Sequence, residues 1–131
     1  VVSVLIKHSA LDIEIDFMDV SSYGGGTEST RKNVILKDLD RSIKERSIII
    51  VEDIVDTGRT LQAVIKILEN KGASKIEVVS LLDKPERREV EVPVQYIGFE
   101  IPNEFVVGFG LDYAEKYRNL PYVGVLHKNY Y

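Results

Sequence analysis

The sequence contains no cysteine, which excludes disulfides, thiolate metal sites and thiol nucleophiles together. Lack of thiols is compatible with a reducing compartment without proving one. No apolar run approaches the roughly 20 residues that a membrane-spanning helix needs, and no secretory leader is visible. The histidines, His8 and His127, have no metal-ligand spacing around them, and neither is assigned a function. Positive charge is not in excess either: 17 Lys and Arg stand against 21 Asp and Glu, a net charge of −4. That balance argues against a surface built to attract nucleic acid or anionic membrane. Hydrophobic residues are 44% of 131, enough for a core and the length of one ordinary domain, residues 1–131. The simplest expectation is a soluble, cytoplasmic protein.

The chain opens abruptly on the apolar stretch Val1-Val2-Ser3-Val4-Leu5-Ile6, with no initiator methionine. Missing upstream sequence is the expectation; a processed terminus is the alternative. Residues 1–8 read as the end of a helix. Ile13, Ile15 and Phe17 alternate with Glu14, Asp16 and Met18, a strand pattern. The segment Ser21 to Thr30, with Gly24, Gly25 and Gly26, reads as a long mobile loop, and Asn33 to Leu36 as a short strand. Ser47 to Glu52 is a continuous β-branched run that suits a strand buried on both faces.

A turn-rich segment, Asp53 to Thr60, is expected next. Leu61, Val64, Ile65 and Leu68 then fall at i, i+3, i+4 and i+7, the stripe of a helix that Lys71-Gly72 ends. Lys75 to Leu82 reads as a second buried strand, completing a right-handed βαβ unit. Shorter strands are expected at 94–99, 105–108 and 123–126. With no repeat, linker or second domain, the predicted class is α/β, a mainly parallel central sheet flanked by helices.

Ligands of open α/β sheets bind outside the carboxyl ends of the strands. The segment there is Glu52-Asp53-Ile54-Val55-Asp56-Thr57-Gly58-Arg59-Thr60. Its second half opens a helix, where free N–H groups and the positive dipole end favour a phosphate. Gly58 allows close backbone approach, and the Thr57 and Thr60 hydroxyls can donate; a plain Thr cap with a turn glycine is the ordinary alternative. Glu52, Asp53 and Asp56 would repel an anion unless something positive lay between. A Mg²⁺-bound sugar phosphate resolves the conflict, with acids on hydroxyls or metal waters and the helix on the phosphate. No G-x-x-x-x-G-K-[ST] occurs and no G-x-G-x-x-G follows a strand, which disfavours a P-loop NTPase or a Rossmann dehydrogenase.

The stretch Val51 to Leu61 resembles the phosphoribosyl-pyrophosphate (PRPP) motif of type I phosphoribosyltransferases. Four further segments resemble the hypoxanthine(-guanine) phosphoribosyltransferases: Asp16 to Gly24, Leu81-Leu82-Asp83-Lys84-Pro85, Ile97 to Pro102, and Phe105 to Tyr113. The resemblance runs from about residue 12 almost to the end of the chain, in the family's order. It implies the type I fold and transfer of phosphoribose from PRPP to a 6-oxopurine, with Mg²⁺, as a dimer or tetramer. Asp56 is then expected to manage the proton near purine N7. Glu52 and Asp53 are expected on the ribose hydroxyls and the metal shell, and Thr57, Gly58, Arg59 and Thr60 around the 5′-phosphate.

The resemblance also implies that Lys84 donates to the purine O6, that Phe105 stacks on the base, and that the Val106 backbone meets its edge. Asp112 is implied as a Mg²⁺ ligand near the purine pocket, Arg118 as a pyrophosphate contact, and Ser22 and Tyr23 as part of a lid. Without the resemblance, Lys84, Asp112 and Arg118 would read as surface charges, Phe105 as core, and the lid as a linker. Family members carry a further upstream strand and a short loop, often Leu-Lys-Gly, that contacts pyrophosphate. A protein beginning at Val1 would be expected to show weak or no activity and an exposed sheet edge, whereas with upstream residues the enzyme expectation stands intact. Two alternatives stay open, a PRPP-binding regulatory protein and a xanthine- or guanine-preferring transferase. The first would want a basic DNA-binding element, and none is visible.

Overall fold

A computed structural model describes residues 1–23 and 32–131. Chain order is helix α1 (Val2–Lys7), strands β1 (Asp19–Tyr23), β2 (Lys32–Lys37) and β3 (Ser47–Val55), then helix α2 (Arg59–Asn70). Strands β4 (Lys75–Asp83), β5 (Tyr96–Glu100), β6 (Val106–Val107) and β7 (Gly124–Val125) follow. The central sheet is parallel, in the order β3-β4-β5, while β1-β2 and β6-β7 form two antiparallel pairs. The α/β expectation holds. No helix among the described residues is long and apolar enough to cross a membrane.

The core forms where α2 lies on the central sheet. Leu61 and Leu68 on the helix are buried with Ile50 and Val55 of β3, Val78 of β4 and Ile43, and Val64 and Ile65 pack alongside. The stripe read from the sequence is therefore the buried face. Truncating one such leucine to alanine costs roughly 2–5 kcal/mol. Past the helix, Gly72 sits at φ +87° and Ala73 N–H donates to Leu68 O at 3.2 Å, closing the turn into β4.

Four expectations change. The alternation at Ile13, Ile15 and Phe17 makes no strand, and β1 begins only at Asp19. Side-chain bonds replace a ladder there: Asp16 accepts the N–H groups of Phe17 and Asp40, both at 2.8 Å. Glu14 accepts from Arg41 at 3.1 Å and Arg46 at 2.8 Å. Phe17 is left 64% exposed.

The β3 run is not buried on both faces. Ile49 is 60% exposed, because α2 covers one face and β4 is the only strand paired with β3 among the described residues. The same strand also continues to Val55, three residues into the expected turn. Lastly, Ser21, Ser22 and Tyr23 belong to β1, not to a loop, and their backbones pair with Val34, Asn33 and Lys32. Residues 24–30 of the expected lid lie outside the described residues.

Candidate active site

The carboxyl ends of the central strands meet in register. Val55 lies opposite Asp83, and Asp83 opposite Glu100. Main-chain bonds continue the alignment past the strands: Lys84 N–H donates to Val55 O at 3.0 Å, and Ile101 N–H to Asp83 O at 2.8 Å. The segments after β3, β4 and β5 are thereby gathered at one edge, as the strand directions require.

Because β3 runs to Val55, Glu52 and Asp53 point to opposite faces of the sheet. Glu52 is partly buried, and burial, helped by the neighbouring charge of Asp53, pushes its carboxyl up to about 7. Near neutral pH it can donate a proton to a hydroxyl as well as accept one. Asp53 is exposed and accepts the Ile54 N–H at 2.7 Å. Among the described residues, no three acidic or histidine side chains form a metal-holding group, so Glu52, Asp53 and Asp112 do not make a ready-made nest.

Asp56 stands just beyond β3, and its Oδ1 accepts from Arg87 Nε at 2.9 Å. Thr57 O accepts two N–H groups from the segment after β4, Glu89 at 3.0 Å and Val90 at 3.2 Å. Arg59 forms an ion pair with Glu89. The N-cap of α2 is Gly58, at φ +84°, not the threonine that a plain capped helix would place there. Only a glycine fits: a Cβ would lie 2.8 Å from Val90 O. No side chain caps the helix, and Thr57 Oγ1 is 3.4 Å from Arg59 N. Thr60 N–H has no acceptor among the described residues. The helix start therefore keeps donors available for an anion.

Lys84 is 7% exposed, and its side chain makes no hydrogen bond or ion pair with the described residues. The stem is what is buried; the amine is not among the buried polar atoms that lack a partner, so it reaches the solvent side of the sheet edge, where it can meet a ligand. Its neighbour Asp83 is 5% exposed and paired with Arg88 Nη2, while Arg88 Nε is buried with no partner among the described residues.

Farther along, Phe105 joins an aromatic group, its ring centroid 5.7 Å from Tyr113 edge-on and 4.9 Å from Tyr131. Val106 pairs with Val125. Asp112 lies 3.2 Å from Arg118 Nη1, and its Oδ2 accepts Glu115 N–H at 2.9 Å. Arg118 also donates to Gly110 O at 3.0 Å. A cleft of about 560 Å³ beside this region is lined by Leu82, Ile101, Val106 and Tyr122 among others; it includes neither Asp56 nor Lys84.

The structure thus brings Asp56 to Thr60 together with the segment after β4, and Asp112 with Arg118. Sequence reasoning missed the contributions of Arg87, Arg88 and Glu89. Their signal was a dense charged run, Lys84 to Glu89, directly behind a buried strand.

The family model of the phosphoribosyl transferase domain matches residues 2–114, a span that includes the parallel sheet, its acidic strand tip and the uncapped start of α2. The chain belongs to this family. Within it, the hypoxanthine-guanine phosphoribosyltransferase of Lactococcus lactis is 58% identical over 127 residues, covering 97% of this chain and 69% of the relative. The Streptococcus thermophilus protein of the same name is 54% identical, covering 97% and 71%. A solved hypoxanthine phosphoribosyltransferase from Staphylococcus aureus matches with a TM-score of 0.93 at 51% identity, covering 99% of this chain and 71% of the other.

Proposed function

We propose that this chain transfers the 5-phosphoribosyl group of PRPP to hypoxanthine, and to guanine, releasing pyrophosphate. The observation that carries this reading is the pairing of two unfinished sites at one sheet edge. They are the open amides of α2 beside Asp56, and Lys84 one residue past β4, its stem buried and its amine unpaired among the described residues. The first suits a phosphate and the second a carbonyl acceptor such as a purine O6.

In the reaction the bond from C1′ to the pyrophosphate oxygen breaks as a bond from a purine nitrogen to C1′ forms, and the base gives up a proton. Asp56 handles that proton near N7. Glu52 and Asp53 hold ribose hydroxyls. The amides and hydroxyls of Thr57, Gly58, Arg59 and Thr60 receive the 5′-phosphate. Lys84 donates to O6 and so disfavours adenine, whose amino group cannot accept. Phe105 stacks on the base and the Val106 backbone meets its edge. Arg118 leaves Asp112 to grip pyrophosphate oxygens with its planar fork. Ser22 and Tyr23, at the end of β1, begin a lid that excludes water from the reacting carbon.

Mg²⁺ would neutralise the developing pyrophosphate charge. The scattered carboxylates suit an ion that arrives on the substrate and keeps several waters, with Asp53 and Asp112 contacting its shell and Glu52 doing so only when ionised. We also expect a cytoplasmic homodimer or tetramer, a state that light scattering reads directly. The reading is tested by incubating the full chain with PRPP and Mg²⁺ plus hypoxanthine, guanine, xanthine or adenine. Nucleotide should form from the first two. Formation from adenine alone overturns the Lys84 role, and PRPP binding with no turnover of any base favours a sensor.

A further inference from the structure

The segment after β4 is tied to the start of α2 more heavily than a connecting loop requires. Glu89 and Val90 N–H both donate to Thr57 O, and Arg88 lies at the centre of the contact. Its Nη2 pairs with Asp83, the buried residue immediately before Lys84. Its stem runs against the helix cap, with Cδ 3.1 Å from the position a Cβ on Gly58 would take. One side chain therefore touches the sequence neighbour of the base contact and the N-cap of the phosphate cradle. Arg88 Nε remains buried without a partner among the described residues, so the guanidinium is not placed there to satisfy its own donors.

We infer that Arg88 is a positioning residue that fixes the separation between the Lys84 amine and the amides that open α2. This rests on the roles proposed above for those two groups. They would hold opposite ends of the reacting pair, the purine O6 and the 5′-phosphate. Transfer needs the base nitrogen aligned on C1′, and a displacement near 1 Å can cost on the order of a hundredfold in rate. Arg88 acts on both ends at once, through Asp83 and through Gly58.

The test is the ratio of kcat/KM for hypoxanthine to that for adenine, measured on one preparation so that the folded fraction cancels. R88M keeps the stem but loses the ion pair. The double variant D83N/R88M also removes the carboxylate that R88M would leave buried and unpaired. Both should lower the ratio at least about tenfold, with kcat falling more than KM for PRPP rises, and R88K should recover most of the loss. A soluble D83N/R88M with the wild-type ratio and only a lower melting temperature overturns the inference. Wild-type protein that uses adenine as readily as hypoxanthine refutes the Lys84 reading itself, and that is known before any variant is made.

Discussion

Arg87 Nε donates to Asp56 Oδ1 at 2.9 Å, so the carboxylate proposed to handle the purine proton is held by a cation from the segment after the next strand. Both side chains are well exposed, and an exposed pair contributes little to stability. Arg87→Gln should move the urea midpoint by no more than about 1 kcal/mol of stability and kcat by less than about tenfold. Asp56→Asn should lower kcat by about a hundredfold or more, leaving the PRPP Kd within about threefold. Steady-state kinetics beside calorimetric binding separates the two; equal loss of turnover and binding removes Asp56 from proton transfer.

Glu52 sets a pH dependence of stability. Its folded pKa of about 7 lies above the ordinary glutamate value of 4.5, so the native state binds more protons than the unfolded one between those values. Stability contributed at this site is full below pH 4.5 and declines as pH rises, until the penalty is complete above about 7. A shift of that size is worth up to about 3 kcal/mol. Glu52→Gln should therefore raise the denaturation midpoint at pH 8 and leave it nearly unchanged at pH 4.5. An equal change at both pH values contradicts the burial of this carboxyl.

Lys84 should matter for activity and little for stability. Its stem is buried, a volume that methionine can fill, and its amine makes no hydrogen bond or ion pair with the described residues, so Lys84→Met removes no stabilising polar contact. The variant is expected to melt within a few degrees of wild type, with at least about tenfold lower kcat/KM for hypoxanthine. Lower stability together with lower activity would mean that the amine has a structural partner.

Gly58→Ala should disable the cradle. Alanine at φ +84° is strained, and its methyl would meet Val90 O at 2.8 Å. A loss of about 1–3 kcal/mol in stability is expected, with PRPP affinity reduced and the base contacts intact. Thermal unfolding and PRPP titration read both effects.

Phe105→Leu should act on the other substrate. Loss of one aromatic stack is worth about 1–3 kcal/mol per base, so KM for hypoxanthine should rise tenfold or more and KM for PRPP should hold. Parallel changes in both constants would place Phe105 in the core with Tyr113 and Tyr131 instead.

Much of this architecture was legible in the residues. The Leu61, Val64, Ile65 and Leu68 stripe is the buried face of α2, and the Lys75 to Leu82 run is a strand one residue short of its observed end. Where reading failed, a local pattern met a particular tertiary setting. The alternation at Ile13 to Phe17 had no strand beside it among the described residues, so Asp16 and Glu14 formed side-chain bonds instead. The turn-rich segment was expected to open at Asp53, yet register with Ser80 and the following residues of β4 kept the chain extended to Val55. The residues proposed for the site were singled out through their motif, whereas Arg87, Arg88 and Glu89, which the structure brings against Asp56, Asp83 and Thr57, were not. Charged side chains become informative only when the fold reveals which strand end they reach across to.

The glycine cap of α2 has one more consequence. With no side chain closing the helix, its opening turn would gain order only from the phosphate proposed to bind there, and the empty enzyme should exchange those amide hydrogens for deuterium quickly. Saturation with PRPP would silence that exchange over the first turn while the distal end, near Asn70, changes little. Catalytic readiness would then be a property acquired with each arriving sugar, and shed with each departing nucleotide.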